Sequence, residues 1–150
     1  MAIRNIIQIG DETLRKKCFE VTDFGPKTRQ LIDDMKDTLF KADGAGLAAP
    51  QVGVLRRIFI VNVDDKYYEC INPVIVKQSG KQSGEEGCLS IKGQYGVVER
   101  PMKVTVKALD RFGKPFTVKA EGFTARAFCH EYDHLDGILY IDKAISVSKE

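Results

Sequence analysis

Residues 130–134 read His130-Glu131-Tyr132-Asp133-His134, the pattern H-E-x-x-H, and they contain both histidines of the chain. Four residues of α-helix rise about 6 Å and turn about 400°, so both imidazoles leave the same face, close enough to grip one ion. Glu131 then sits beside that ion, free to handle protons. A purely structural reading competes with this one. Phe123, Ala127, His130 and His134 form an i, i+4, i+7, i+11 stripe, and imidazoles on such a stripe also serve as core groups hydrogen-bonded to backbone. The segment starts after Gly122 and stops near Gly137, which predicts one helix of about four turns.

Such a helix needs a sheet to pack on, and the preceding sequence supplies strands. Ile58 to Val63 is a continuous β-branched and aromatic run, followed by Tyr67 to Ile71 and Val74 to Val76. Val104, Val106 and Ala108 alternate with lysines, and Phe116, Val118 and Ala120 repeat the alternation beyond Asp110-Arg111-Phe112-Gly113, which reads as a hairpin. Upstream, residues 27–42 place Leu31, Ile32, Met35, Leu39 and Phe40 at helical spacing and end at Asp43-Gly44, a surface helix with one buried face. The expected class is α+β: antiparallel or mixed sheets packed around the central histidine-bearing helix, with an N-terminal surface helix. No repeat or linker divides residues 1–150, so one domain is expected.

Composition narrows the function. A chain of 150 residues and 16.8 kDa buries roughly 70% of the surface its unfolded form exposes, enough for a core without staples. Lys plus Arg number 23 against 21 Asp plus Glu, a net charge of +2, so the basic field that dominates nucleic-acid binding is lacking and no nucleic-acid role is expected. Ile3 to Ile9 is interrupted by Arg4, Asn5 and Gln8, too short and polar for a signal or membrane segment, which points to the cytoplasm and away from membranes. Cys18, Cys70, Cys88 and Cys129 are far apart with no C-x-x-C, an arrangement that suits free thiols in a reducing compartment.

Two histidines do not complete a catalytic site of the zinc type, which takes three protein ligands and leaves a position for water. The run continues to Tyr140, which stands where H-E-x-x-H-x-x-G-x-x-H requires its last histidine, so the metzincin completion is absent. Cys129 directly precedes His130 and projects about 100° away from it around the helix. Cys88, in Glu86-Gly87-Cys88-Leu89-Ser90, is the better candidate, with Gly87 permitting close approach and positive φ; a small buried hydrophobe in a loop is the alternative fate of such a thiol. Gly44-Ala45-Gly46-Leu47-Ala48-Ala49 satisfies G-x-G-x-x-A, yet a helix precedes it and Pro50 and Gly53 follow, so the phosphate-cradling helix N-terminus is missing. Gln51, after this stretch of small side chains, offers an amide N–H to a developing oxyanion, or else ties down a turn.

Taken together, Gly44-Ala45-Gly46-Leu47-Ala48-Ala49-Pro50-Gln51, Glu86-Gly87-Cys88-Leu89-Ser90 and His130-Glu131-Tyr132-Asp133-His134 resemble the three ordered motifs of peptide deformylases. Ile9-Gly10-Asp11-Glu12-Thr13-Leu14-Arg15 is similar to the family's N-terminal segment, and Ala108-Leu109-Asp110 with Gly113-Lys114 to its hairpin, so the resemblance spans nearly the whole chain. It implies a metal held by Cys88, His130 and His134, Glu131 as general acid and base, and oxyanion contacts from Gln51 and the Leu89 backbone N–H. It also implies Fe²⁺ as the native ion, exchangeable for Ni²⁺, Co²⁺ or Zn²⁺. The implied reaction removes formyl from the formyl-methionine of nascent polypeptides and releases formate.

On that reading an apolar pocket for the methionine side chain is expected from Gly44, Ala45 and Gly46 on one wall and Phe123 and Ala127 on the helix. Glu86 and Asp133 are expected to orient the imidazoles, with Arg100 as their charge partner or as a surface salt bridge. Three positions depart from the family: Cys129 replaces glutamine, Lys92 stands where proline is common, and Tyr95 where some members use arginine. The implied partners are nascent chains and, transiently, the ribosome. The sequence ends at Glu150 without the long C-terminal helix of some relatives, which argues against ribosome association through such a helix. Two rival functions are a metallopeptidase, which H-E-x-x-H alone fits equally, and a structural metal module closed by Cys129.

Overall fold

The computed structural model describes residues 2–149. Helix α1 (Pro26–Ala42) is followed by strands β1 (Gly46–Ala48), β2 (Ile58–Val63), β3 (Lys66–Ser79), β4 (Gln82–Cys88), β5 (Ile91–Arg100), β6 (Lys103–Leu109) and β7 (Pro115–Glu121), then helix α2 (Phe123–His134) and strand β8 (Ser146–Lys149). Five strands form one sheet in the order β1-β2-β3-β6-β7, and β4-β5-β8 form a second. Every ladder between named strands is antiparallel. The architecture is the α+β arrangement expected, with antiparallel rather than mixed pairing.

The apolar run of β2 has a direct physical cause, since a strand covered on both faces has no polar side to alternate with. Ile58 and Ile60 join Leu31, Ile32, Met35 and Leu39 of α1 in one core cluster. Phe59 and Val61 face the opposite way, into a cluster with Val104, Val106, Val118 and Phe128. There Phe128 of α2 meets Phe59 edge-on at 5.8 Å between ring centroids. Pro26 starts α1 with its φ already set, and Asp43 ends it in the left-handed region at φ 55°. Among the described residues no helix is long and apolar enough to cross a membrane.

Three sequence expectations need correction. Tyr67–Ile71 and Val74–Val76 belong to one strand, β3, whose register shifts between Ile71 and Val74. Asn72 sits in that irregularity at φ 49°, and its amide bonds the backbone N and O of Val21 at 2.8 and 2.9 Å. The Asn-Pro pair thus marks a bulge rather than a strand end. Strands β4, β5 and β8 were not anticipated, because Gly, Gln, Ser and Lys hide their pattern. Helix α2 is twelve residues long, shorter than four turns. Its carbonyls are already capped there: the N–H groups of Gly137 and Ile138 return to His134 O and Asp133 O, which closes the helix a turn early.

Candidate active site

The site lies between α2 and the hairpin of β4 and β5. Cys88 ends β4 and pairs with Ile91 after a shift in register, so it belongs to a strand end rather than a free loop. Gly87 does not use positive φ; what it provides is room, since a Cβ there would lie 3.1 Å from Tyr95 Cε1. The ligand atoms of Cys88, His130 and His134 all fall within 4.8 Å of one another, with Cys88 Sγ 3.4 Å from His134 Nε2. Donors around a single ion at metal–nitrogen and metal–sulfur lengths of about 2.1 and 2.3 Å are roughly 3.4–3.8 Å apart. The set therefore fits one divalent ion with small adjustments. Cys129 is buried in the α2 core cluster and stands outside the triad.

Around these donors the polar groups form a buried network. Glu86 accepts from Arg100 Nε at 2.8 Å and Nη2 at 2.9 Å, from Arg126 Nη1 at 2.7 Å, and lies 2.9 Å from His130 Nδ1. Burial pushes the Glu86 carboxyl up, but the bonds from Arg100 and His130 outweigh it and hold it down at about 2. An ionised Glu86 fixes the proton of His130 on Nδ1 and leaves Nε2 for an ion. Asp133 reaches no imidazole among the described residues; it takes Arg100 Nη1 at 2.7 Å and Lys143 Nζ at 3.0 Å. Arg100 is 3% exposed, so its pairs are interior ones. Tyr140, at the position that excluded a metzincin, lays its ring along His130 at 6.0 Å and 23° and donates its hydroxyl to Gln94 O.

Glu131 is buried, and its Oε1 has no hydrogen-bond partner among the described residues. Burial, reinforced by the charge of Glu86 against the opposing pull of His130, pushes its carboxyl up to about 7. Burial also drives His134 well below the usual histidine range, with the His130 and Arg100 charges acting in the same sense. Gln51 is pinned at both ends of its amide: Oε1 accepts the Ala48 N–H at 2.9 Å, and Nε2 donates to Ser90 Oγ at 3.0 Å with Cys88 Sγ 3.6 Å away.

A cavity of about 400 Å³ opens onto these groups. Gly44, Ala45, Gly46, Gln51, Leu89, Phe123, Ala127, His130 and Glu131 line it, as do Lys92 and Tyr95, two of the three departures. The residues expected of the pocket are thus brought together. Arg126 and Ser90 were missed by sequence reasoning, although Arg126 precedes His130 by four residues on the ligand face of the helix.

The family model for polypeptide deformylase matches residues 3–150. A peptide deformylase of Caldicellulosiruptor bescii is 52% identical over 150 residues, covering 100% of this chain and 90% of its own. One from Halothermothrix orenii is 51% identical, covering 100% of this chain and 99% of its own. Among solved structures, the peptide deformylase of Thermotoga maritima superposes with a TM-score of 0.94 at 37% identity, covering 97% of this chain and all of that one. The one from Legionella pneumophila gives 0.92 at 46% identity, with 95% and 86% covered. By sequence and by fold, the chain belongs to the polypeptide deformylase family.

Proposed function

We propose that Cys88, His130 and His134 hold one divalent ion, and that Glu131, Gln51 and the Leu89 N–H carry out the family's reaction on it. That reaction is hydrolytic removal of formyl from the N-terminal formyl-methionine of new polypeptides, with release of formate. The assignment rests on one observation: three mutually close donors and an unpartnered buried carboxylate belong to the same site as the pinned amide of Gln51. When bound, a divalent ion supplies Lewis acidity that lowers the pKa of a water toward about 7. Glu131 takes the proton from that water and passes it to the leaving nitrogen. Gln51 Nε2–H and the Leu89 N–H stabilise the oxyanion that forms between these steps, a contribution of the order of 10²–10³ in rate per donor.

Gly44, Ala45, Gly46, Phe123 and Ala127 seat the methionine side chain, while Glu86, Arg100 and Asp133 keep His130 oriented. Fe²⁺ is the ion assigned, since a thiolate with two imidazoles accepts it and also accepts Zn²⁺, Ni²⁺ or Co²⁺. The chain works as one catalytic domain in the cytoplasm, where its four thiols stay reduced. It meets its substrates near the ribosome, where nascent chains emerge.

The test is metal analysis after anaerobic purification, then assay of a formyl-methionyl peptide, its acetyl counterpart and the unmodified peptide. One ion per chain and formate from the first peptide alone are expected. Stoichiometric metal without formate rejects the assignment, and cleavage inside the unmodified peptide points to a peptidase. Glu131→Gln should retain metal and lose turnover by about 10²–10⁴-fold; full activity in that variant removes Glu131 from proton transfer.

A further inference from the structure

The donor set is drawn from two separate parts of the fold. Cys88 ends β4, whereas His130 and His134 project from α2. Their mutual distances therefore depend on how the β4–β5 hairpin is seated against the helix. Glu86 and Arg100 meet through two hydrogen bonds, at 2.8 and 2.9 Å. Both residues belong to the hairpin, so that pair stiffens the hairpin without fixing where α2 lies.

The junction is made from the helix side. Arg126 and His130 stand one helical turn apart on the same face, about 6 Å along the axis, and each reaches a different oxygen of the Glu86 carboxylate. Arg126 Nη1 donates to Oε2 at 2.7 Å, and His130 Nδ1 lies 2.9 Å from Oε1. Two contacts on one planar carboxylate fix the height and the rotation of the helix, which a single contact leaves free. Arg126 Nη1 also bonds Val98 O at 2.9 Å and Gly84 O at 3.3 Å. Gly84 and Val98 are cross-strand partners, so the same nitrogen grips the backbone of both strands. Arg126 is 4% exposed, and Gly84 makes room for it, since a Cβ there would lie 3.1 Å from Nη2 and 3.3 Å from Cζ. Two other links lie farther along the helix. Gln82 Nε2 bonds Gly122 O at 2.6 Å, before α2 begins, and Asp133 Oδ2 accepts from Arg100 at 2.7 Å while shared with Lys143. Without Arg126, His130 becomes the one tie from α2 to the Glu86 carboxylate among the described residues. An imidazole that must also hold the helix in place is less free to settle on an ion.

Resting on the donor set assigned above, we propose that Arg126 is a positioning residue for the metal centre. It fixes α2 against the β4–β5 hairpin so that Cys88 stands at ligand distance from His130 and His134. Partners that orient metal ligands in this way are worth about 10–100-fold in metal affinity. The buried bonds of Arg126 also stabilise the fold, so its role at the metal is read from the metal itself.

The experiment loads the full chain with Co²⁺ under anaerobic reducing conditions and titrates it with a chromogenic chelator, in wild type, Arg126→Met and Gly84→Ala. The thiolate-to-cobalt absorption band per bound ion is recorded alongside, because among the three donors it reports Cys88. Arg126→Met is expected to bind Co²⁺ about 10–100-fold more weakly and to lose about half or more of that band. Gly84→Ala keeps the guanidinium but crowds it, and a loss of about three- to tenfold is expected, the worth of one modest hydrogen bond. Affinity within twofold of wild type in Arg126→Met overturns the proposal, whatever the variant's stability to urea. Weaker binding with an undiminished band also overturns it, since the effect then lies at the histidines and not at Cys88. If Arg126→Met does not fold, Gly84→Ala decides, and affinity within twofold of wild type overturns the proposal. A wild type that takes up no Co²⁺ or shows no thiolate band refutes the donor set itself; a wild type that shows both, with variants that match it, refutes only the role of Arg126.

Discussion

Ser90 is completely buried, and its hydroxyl holds Gln51 Nε2 at 3.0 Å from the side opposite Ala48. Without it the amide keeps the Ala48 N–H and only the longer contact to Cys88 Sγ at 3.6 Å, and can shift away from the position an oxyanion needs. Ser90→Ala is expected to lower kcat by roughly tenfold with KM within twofold, because the lost precision matters mainly in the transition state. Steady-state kinetics on a formyl-methionyl peptide decide this; a change confined to KM would separate Ser90 from the oxyanion site. Gly46 is constrained more severely, since a Cβ there would lie 2.6 Å from Glu131 Oε2 and 2.8 Å from its Cγ. Gly46→Ala must displace that carboxylate, and about a hundredfold loss of kcat with metal retained is expected. At this scale the sequence was informative where chemistry depends on residue type at fixed spacing, as with His130, Glu131 and His134. Ser90 and Arg126 escaped because their partners are distant in sequence, and no local pattern announces a hydroxyl holding an amide 39 residues away.

Helix α2 positions two of the three donors, and Gly137 decides how it stops. That glycine has φ 75°, and a Cβ on it would lie 2.4 Å from the backbone oxygen of Arg15. The turn after His134 therefore presses against the chain near the N-terminus, where the Cys18 N–H also bonds Leu135 O. Gly137→Ala is expected to destabilise the fold by roughly 2–4 kcal/mol through the combined backbone strain and clash. Urea unfolding measures it, and a loss under about 0.5 kcal/mol would show that the junction yields easily. The upstream segment reaches the site as well. Ile7 N–H bonds Gln51 O, Ile9 N–H bonds Ser90 O, and Gln8 Nε2 bonds Leu89 O at 3.0 Å. Two motifs far apart in sequence are laced together by a stretch with no periodicity of its own. The helices and the β6–β7 hairpin were legible because each buries one face. The β4–β5 hairpin was not, because its exposed glycines and polar residues carry no alternation, although it delivers Cys88.

At the scale of the whole molecule, two thiols outside the ligand set lie in the core cluster that Phe59 of β2 and Phe128 of α2 share. Cys18 and Cys70 are 5% and 0% exposed. Burial pushes the Cys18 thiol up to about 11, with Arg57 opposing, and the Cys70 thiol up to about 12, with the Glu69 charge adding to it. In the unfolded chain both titrate near their ordinary value of about 8.5. Between that value and the folded one, the native state retains protons that the unfolded state has released, so unfolding becomes more favourable as pH rises. Their contribution is intact below about pH 8.5 and is lost progressively toward pH 11–12, by at most about 1.4 kcal/mol per thiol for each pH unit. Lysines and tyrosines titrate over the same range, so the comparison must be internal. Under reducing conditions, Cys18→Ala with Cys70→Ala is expected to be less stable than wild type at pH 7.5, because methyl-sized gaps open in the core. It is also expected to lose stability less steeply between pH 9 and 11, as read by urea denaturation at each pH. Parallel slopes for the two proteins would show that these thiols ionise in place without loosening the layers around them.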